Sequence, residues 1–271
     1  MRLAGLLIIR DGRARRWRAA RRELRRVGAL RFADVLAFRA YARLFLARRD
    51  EAWKHEAVAR LQRDYPAALD AVPRLEVSTP NSAEARAFIA ALQPDIVIAR
   101  CKVILKREIF ELARVGTFVL HPGICPEYRN AHGCFWALAN RDLTRVGMTL
   151  LRVDAGIDTG PVYLHAGCDY DERVDSHTVI QYRAVLDNLD AIARTLIALH
   201  QGEHVVPVPT ANRRSAEWGQ PQLTKYLRWK RAAGRLRRTR PTAPGGDQMD
   251  GPAWAGFREA DTATEQREVV H

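Results

Sequence analysis

Thr117-Phe118-Val119-Leu120-His121-Pro122-Gly123 is the stretch on which the fold of this chain turns. Four strand-forming residues end abruptly at a histidine and a Pro-Gly break, the pattern of a buried strand delivering a side chain into a loop. Upstream, Lys106–Ala113 reads as helix, and Asp95-Ile96-Val97-Ile98-Ala99, bounded by Pro94, reads as another apolar strand. Downstream, residues 122–132 form an irregular loop with two prolines and a glycine, and Cys134–Ala139 returns to helix. Val146–Val153 reads as strand, 154–160 as a turn, and a further strand starts at Val162. Ser176–His200 reads as one long amphipathic helix. Strands alternating with helices predict an α/β fold with a layered, mostly parallel sheet. Ligands of such sheets sit at the carboxyl ends of strands, which points to the loops 121–132 and 154–160.

Toward the amino end, residues 3–9 read as a short strand stopped by the turn dipeptide Asp11-Gly12. From Arg13 to Arg49 the apolar residues (Trp17, Leu24, Val27, Phe32, Val35, Phe38, Tyr41 and others) recur mostly three and four apart, a helical period. A further helix is expected over Glu51–Tyr65, ended by Pro66, then a strand at Leu75-Glu76-Val77. Ser82, followed by Glu84, caps a helix running to about Leu92.

The 271 residues carry 44 Lys+Arg against 31 Asp+Glu, a formal net charge of +13, with 47% apolar residues to build a core. The charge is uneven. Residues 13–26 contribute +7, residues 225–240 contribute +8, and the last 31 residues contribute −4. A near-neutral body with basic flanks is unlike a histone-type protein that is basic throughout. No apolar run approaches the roughly 18–20 residues of a membrane span. The apolar opening is too short for a signal-peptide core. Cys101, Cys125, Cys134 and Cys168 show no C-x-x-C pairing, which predicts reduced thiols and a cytoplasmic setting. No histidine or cysteine spacing suits zinc, so no metal site is expected. There is no 20–50-residue repeat. The tail from Pro241 is Pro/Gly-rich and polar, and is expected to be disordered.

His121, at the end of an apolar strand, is placed to point into a ligand crevice as an acid/base or oxyanion-stabilising group. Alone, it reads equally as a histidine that hydrogen-bonds its loop. Asp158 lies in Asp154-Ala155-Gly156-Ile157-Asp158-Thr159-Gly160-Pro161, a tight turn in which aspartate is also common for purely structural reasons.

Taken together, His121-Pro122-Gly123-Ile124-Cys125-Pro126-Glu127-Tyr128-Arg129, then Gly147-Met148-Thr149-Leu150-Leu151-Arg152-Val153-Asp154, then Asp158-Thr159-Gly160-Pro161 resemble the formyltransferase family. Its members use N10-formyltetrahydrofolate and include glycinamide ribonucleotide, methionyl-tRNA and sugar-nucleotide formyltransferases. The resemblance covers about residues 74–210. It implies a Rossmann-like formyltransferase fold, no metal, and transfer of a formyl group from N10-formyltetrahydrofolate to a small-molecule primary amine. His121 and Asp158 are the implied catalytic pair, the histidine handling the proton and the oxyanion, the aspartate orienting the ring. The implied folate-binding residues are Lys102, Val103, Ile104, Leu105 on one loop and Asp154, Ala155, Gly156, Ile157 on the other.

Two departures qualify this resemblance. Where the family places an asparagine donor, two residues before the histidine, this chain has Val119. Losing one such donor typically costs about 10²–10³ in rate. The enzyme is then slow, or another donor substitutes (Asn130, Asn140 or a loop N–H, with Asn130 and His132 in the 129–133 loop the best placed), or the site binds without catalysing. A hydrolase of the same fold and a non-catalytic folate- or nucleotide-binding module are the alternative functions. At the amino end, the opening strand looks like the family's second. Either the true start lies upstream, or the sheet lacks the usual first strand.

The chain divides into an amino-terminal strand and Arg-rich helical region (1–73), a formyltransferase-like core (74–210), a basic extension (211–240) and the tail (241–271). Tyr226-Leu227-Arg228-Trp229-Lys230-Arg231 interleaves aromatics with cations. Such segments are either solvated helix faces or docking sites for an anionic partner.

Overall fold

The computed structural model describes residues 2–10, 13–66, 71–101 and 103–235. The expected Asp11-Gly12 turn, Lys102 and the tail therefore lie outside the described residues. The chain opens with β1 (Leu6–Ile9), α1 (Arg13–Val27), α2 (Ala29–Tyr41), a π-helical turn (Ala42–Leu46) and α3 (Ala47–Asp64). Then follow β2 (Arg74–Val77), α4 (Ala83–Leu92), β3 (Ile96–Ala99), α5 (Arg107–Phe110), β4 (Gly116–His121) and α6 (Gly133–Ala139). A 3₁₀ turn (Leu143–Arg145) leads to β5 (Met148–Arg152), β6 (Val162–Ala166), α7 (His177–Leu186), α8 (Leu189–Gln201) and α9 (Leu223–Arg235).

The α/β class is the expected one, but parallel pairing is narrower than strand–helix alternation suggests. β1 and β2 form a parallel pair, and a four-stranded sheet runs in the order β3-β4-β5-β6. Within it β3 and β4 are parallel, joined through α5, whereas β4/β5 and β5/β6 are antiparallel. Connection length accounts for the β5/β6 pairing: the short turn between those strands leaves no room for the crossover that parallel pairing requires. One face of the sheet buries Phe118, Met148 and Leu150 against Ala184 of α7 and Ile192 and Leu196 of α8. Alternation along β4 then turns Thr117, Val119 and His121 to the other face.

Two expected helices are divided. Gly28, at φ 78°, breaks the 13–49 helix between α1 and α2, a conformation open to glycine at little cost. The 176–200 helix breaks at Asp187–Asn188, where the Asn188 amide donates to the carbonyls of Gly167 (2.7 Å) and Ala184 (2.9 Å). Side-chain bonds of this kind compete with the helical ladder. Ser82 caps α4 as expected, its hydroxyl accepting from the Ala85 amide at 3.1 Å.

The cation-aromatic segment at 226–231 has a role composition does not reveal. Tyr226 and Trp229 are buried on α9, in one cluster with Phe38 of α2, Phe135 of α6 and Ile180 of α7. Its aromatics are core residues and are not available to stack on nucleic-acid bases. Lys230 follows them inward: its ammonium donates to the carbonyls of Glu172 (2.6 Å) and Asp175 (2.5 Å) and sits 4.3 Å from the Trp229 ring. Burial pulls its pKa down to about 8.

Candidate active site

His121 ends β4 almost fully buried, with 2% of its surface exposed. Its ring is held at both nitrogens: Nδ1 lies 3.3 Å from Asp158 Oδ2, and Nε2 lies 2.7 Å from the Tyr128 carbonyl oxygen. A carbonyl only accepts, so Nε2 carries a hydrogen and donates it. Buried polar groups seek such partners because an unmet one costs about 1–3 kcal/mol.

Two close backbone approaches create this geometry. A Cβ on Gly133 would lie 2.6 Å from the Pro122 carbonyl oxygen, so only glycine lets the 122–132 loop fold back onto the start of α6. That fold brings the Tyr128 carbonyl over the imidazole. A Cβ on Gly160 would lie 1.9 Å from the Arg152 carbonyl oxygen, so glycine also permits the β5–β6 turn.

The route of Asp158 to the histidine differs from a shared strand end. Because β5 runs antiparallel to β4, Thr149 lies opposite His121 and Arg152 opposite Phe118. The 154–160 turn thus leaves from the far end of β4, about 10 Å along the strand from His121. It folds back across the Val119/His121 face to reach the ring. Asp158 takes a left-handed conformation there (φ 52°), which aspartate tolerates better than most residues. Its Oδ2 also accepts the Asn130 amide at 2.8 Å, and Arg129 donates to the Ile157 carbonyl at 2.8 Å, so the two loops clasp each other.

Thr149 is fully buried and fixes the other side. Its hydroxyl donates to the Gly123 carbonyl (2.7 Å) and accepts from the Cys125 amide (3.0 Å), pinning the loop directly after His121. Glu127 anchors the loop's outer end, bonding Arg213 through both oxygens (2.9 and 2.6 Å) and Arg145 at 2.8 Å. His165 stands opposite Thr149 on β6. Burial and the nearby Arg213 lower its pKa to about 4, so it stays neutral at pH 7. Burial pushes the thiols of Cys134 and Cys168 up to about 12 and Cys125 higher still, which removes them as nucleophiles.

The remaining expected residues are placed as follows. Asn130, also left-handed (φ 76°), turns its side-chain amide to Glu217 at 3.2 Å. His132 immediately precedes α6 and acts electrostatically on His177. Val119 shares the His121 face, two residues away, where an apolar side chain offers no donor. On the first expected folate loop Ile104 is 62% exposed, and its carbonyl accepts the Asn81 amide at 2.9 Å. On the second, Asp154 Oδ1 accepts from the Gly156 amide (3.0 Å) and the Thr159 hydroxyl (2.8 Å), while Ala155 and Gly156 are exposed. Among the described residues, no cluster could hold a metal ion. Sequence reasoning missed the Tyr128 carbonyl and the Glu217 contact; backbone groups leave no composition signal, and Glu217 lies 87 residues from Asn130.

Residues 33–195 match the formyl transferase family. The methionyl-tRNA formyltransferase of Anaeromyxobacter dehalogenans is 30% identical over 187 residues, covering 68% of this chain and 56% of that protein. That of Chlorobium limicola is 27% identical over 168 residues, covering 61% and 51%. The chain thus spans about half the length of these curated relatives. Among solved structures, the formyltransferase PseJ from Anoxybacillus kamchatkensis, in complex with a formamido sugar nucleotide and tetrahydrofolate, is 17% identical. It has a TM-score of 0.47 and covers 65% of this chain and 92% of its own.

Proposed function

This chain belongs to the formyl transferase family, and on that premise we propose that it moves a formyl group from N10-formyltetrahydrofolate to a primary amine at His121 and Asp158. The observation that carries this reading is the 3.3 Å approach of His121 Nδ1 to Asp158 Oδ2 in a nearly dry setting. When bound, the folate donor supplies an activated formyl carbon. Val103, Ile104 and Leu105, with Ala155, Gly156 and Ile157, are the residues to hold it.

The chain's own groups divide the remaining work. Asp158 fixes the imidazole through Nδ1, leaving Nε2 as the atom that holds and hands on a proton. In the structure Nε2 bonds the Tyr128 carbonyl, so the reading requires the 124–130 loop to release it when a substrate arrives. Burial excludes water and strengthens the His121–Asp158 interaction through a lower local dielectric. Binding without turnover is the second reading, favoured by the apolar Val119 beside His121.

The test is release of tetrahydrofolate from N10-formyltetrahydrofolate by the full chain, across a panel of amine acceptors, against His121→Ala. Loss of the general acid–base group is expected to slow turnover about 10²–10⁴-fold. Turnover that His121→Ala leaves unchanged overturns the assignment.

A further inference from the structure

The amino-terminal helices carry a feature the formyl-transfer chemistry does not use. Residues 13–49 contain thirteen Arg and only two acids, a net +11. Both acids are engaged, Glu23 with Arg26 at 2.9 Å and Asp34 with the Thr224 amide at 3.0 Å. The same stretch leaves large apolar side chains in solvent. Trp17 (67% exposed) and Leu24 (40%) lie seven residues apart on α1, hence on one helical face. Leu30 is 90% exposed on α2 and Leu36 46%; on the π-helical turn, Leu44 is 75% and Phe45 68% exposed. On α2 the exposed Leu30, Ala33, Ala37 and Ala40 recur three and four apart, while Val35 and Phe38 face the core. Single exposed leucines are ordinary, but six large apolar groups on one continuous basic stretch mark an interaction surface.

Charge selects the occupant. A second copy would bring +11 against +11, which repels. An RNA would satisfy the arginines, but leucines gain little from phosphates, sugars and base edges. An anionic lipid surface satisfies both sets, with arginines at the head groups and Trp, Leu and Phe at the acyl boundary. We propose that the α1–α2 face and the following π-helical turn dock this protein on anionic phospholipid membranes. Among the described residues, no helix is long and apolar enough to cross a membrane, so these helices lie along the interface.

The experiment is sedimentation of the full chain with vesicles of phosphatidylglycerol mixed into phosphatidylcholine, against vesicles of phosphatidylcholine alone. Binding is expected only to the anionic vesicles and is expected to weaken with salt. Arg21, Arg22 and Arg25 are exposed, and each Arg→Gln change is expected to weaken binding about fivefold. Leu30→Ser with Leu44→Ser is expected to weaken it more than tenfold while leaving the thermal midpoint in place, because both side chains stand in solvent. Equal binding to both vesicle types, or none to either, overturns the proposal. So does retention of mixed-sequence RNA that exceeds vesicle binding and is indifferent to the leucine pair. A dimer in sedimentation equilibrium that the leucine pair dissolves assigns the face to a second copy and also overturns it.

Discussion

His121 is fastened at both ring nitrogens, and each fastening has a separate origin. The Asp158 contact depends on a turn folding back across a sheet face, and the Tyr128 contact on the close approach of Gly123 and Gly133. Under the proposed reaction, Val119 is the position to test for a missing donor: it lies two residues before His121 on the same face, and its apolar side chain offers no hydrogen bond. Val119→Asn is expected to raise formyl-transfer turnover about 10²–10³-fold, measured as tetrahydrofolate release. A variant that binds folate but turns over no faster than the parent instead supports the binding-only reading. The histidine was legible from its place at the end of an apolar strand, whereas the aspartate stood out only through the family resemblance of the two loops taken together. The carbonyl of Tyr128 and the engagement of Asn130 with Glu217 were not legible, since neither depends on local spacing.

At the scale of elements, α9 is the one whose composition misleads most. Arg228, Lys230 and Arg231 suggest a solvated or ligand-binding segment, yet Trp229 is fully buried and its indole donates to Glu172 at 2.8 Å. Trp229→Ala is expected to destabilise the fold by about 3–5 kcal/mol, read as a lower midpoint in denaturant unfolding. An unchanged midpoint would mean that α9 is not part of the cooperative unit. Strands β3, β4 and β5 and the cap of α4 were legible because their apolar runs are bounded by Pro, Gly or Ser. The divisions at Gly28 and Asn188 were not, because apolar periodicity continues through both.

At the scale of the whole molecule, the aromatic cluster that joins α2, α6, α7 and α9 also encloses His177. Burial lowers its pKa to about 3 from an ordinary value of 6.5, so the unfolded chain binds the extra proton first as pH falls. The stability that His177 contributes is therefore fully present above about pH 6.5 and is lost as pH drops toward 3, with a slope of up to about 1.4 kcal/mol per pH unit from this one group. His177→Phe is expected to flatten this part of the profile, measured by denaturant midpoints between pH 7 and 4; an unchanged slope removes His177 as its source. By itself the sequence determined the α/β class, the loops that carry His121 and Asp158, and the uneven charge, because strand runs, turn residues and charge are local properties. Only the tertiary structure decided that β5 runs antiparallel to β4, that the turn carrying Asp158 folds back over the sheet face to reach His121, and that α9 belongs to the core. Those outcomes depend on which distant surfaces bury one another, and packing between segments far apart in the chain leaves no mark on local spacing.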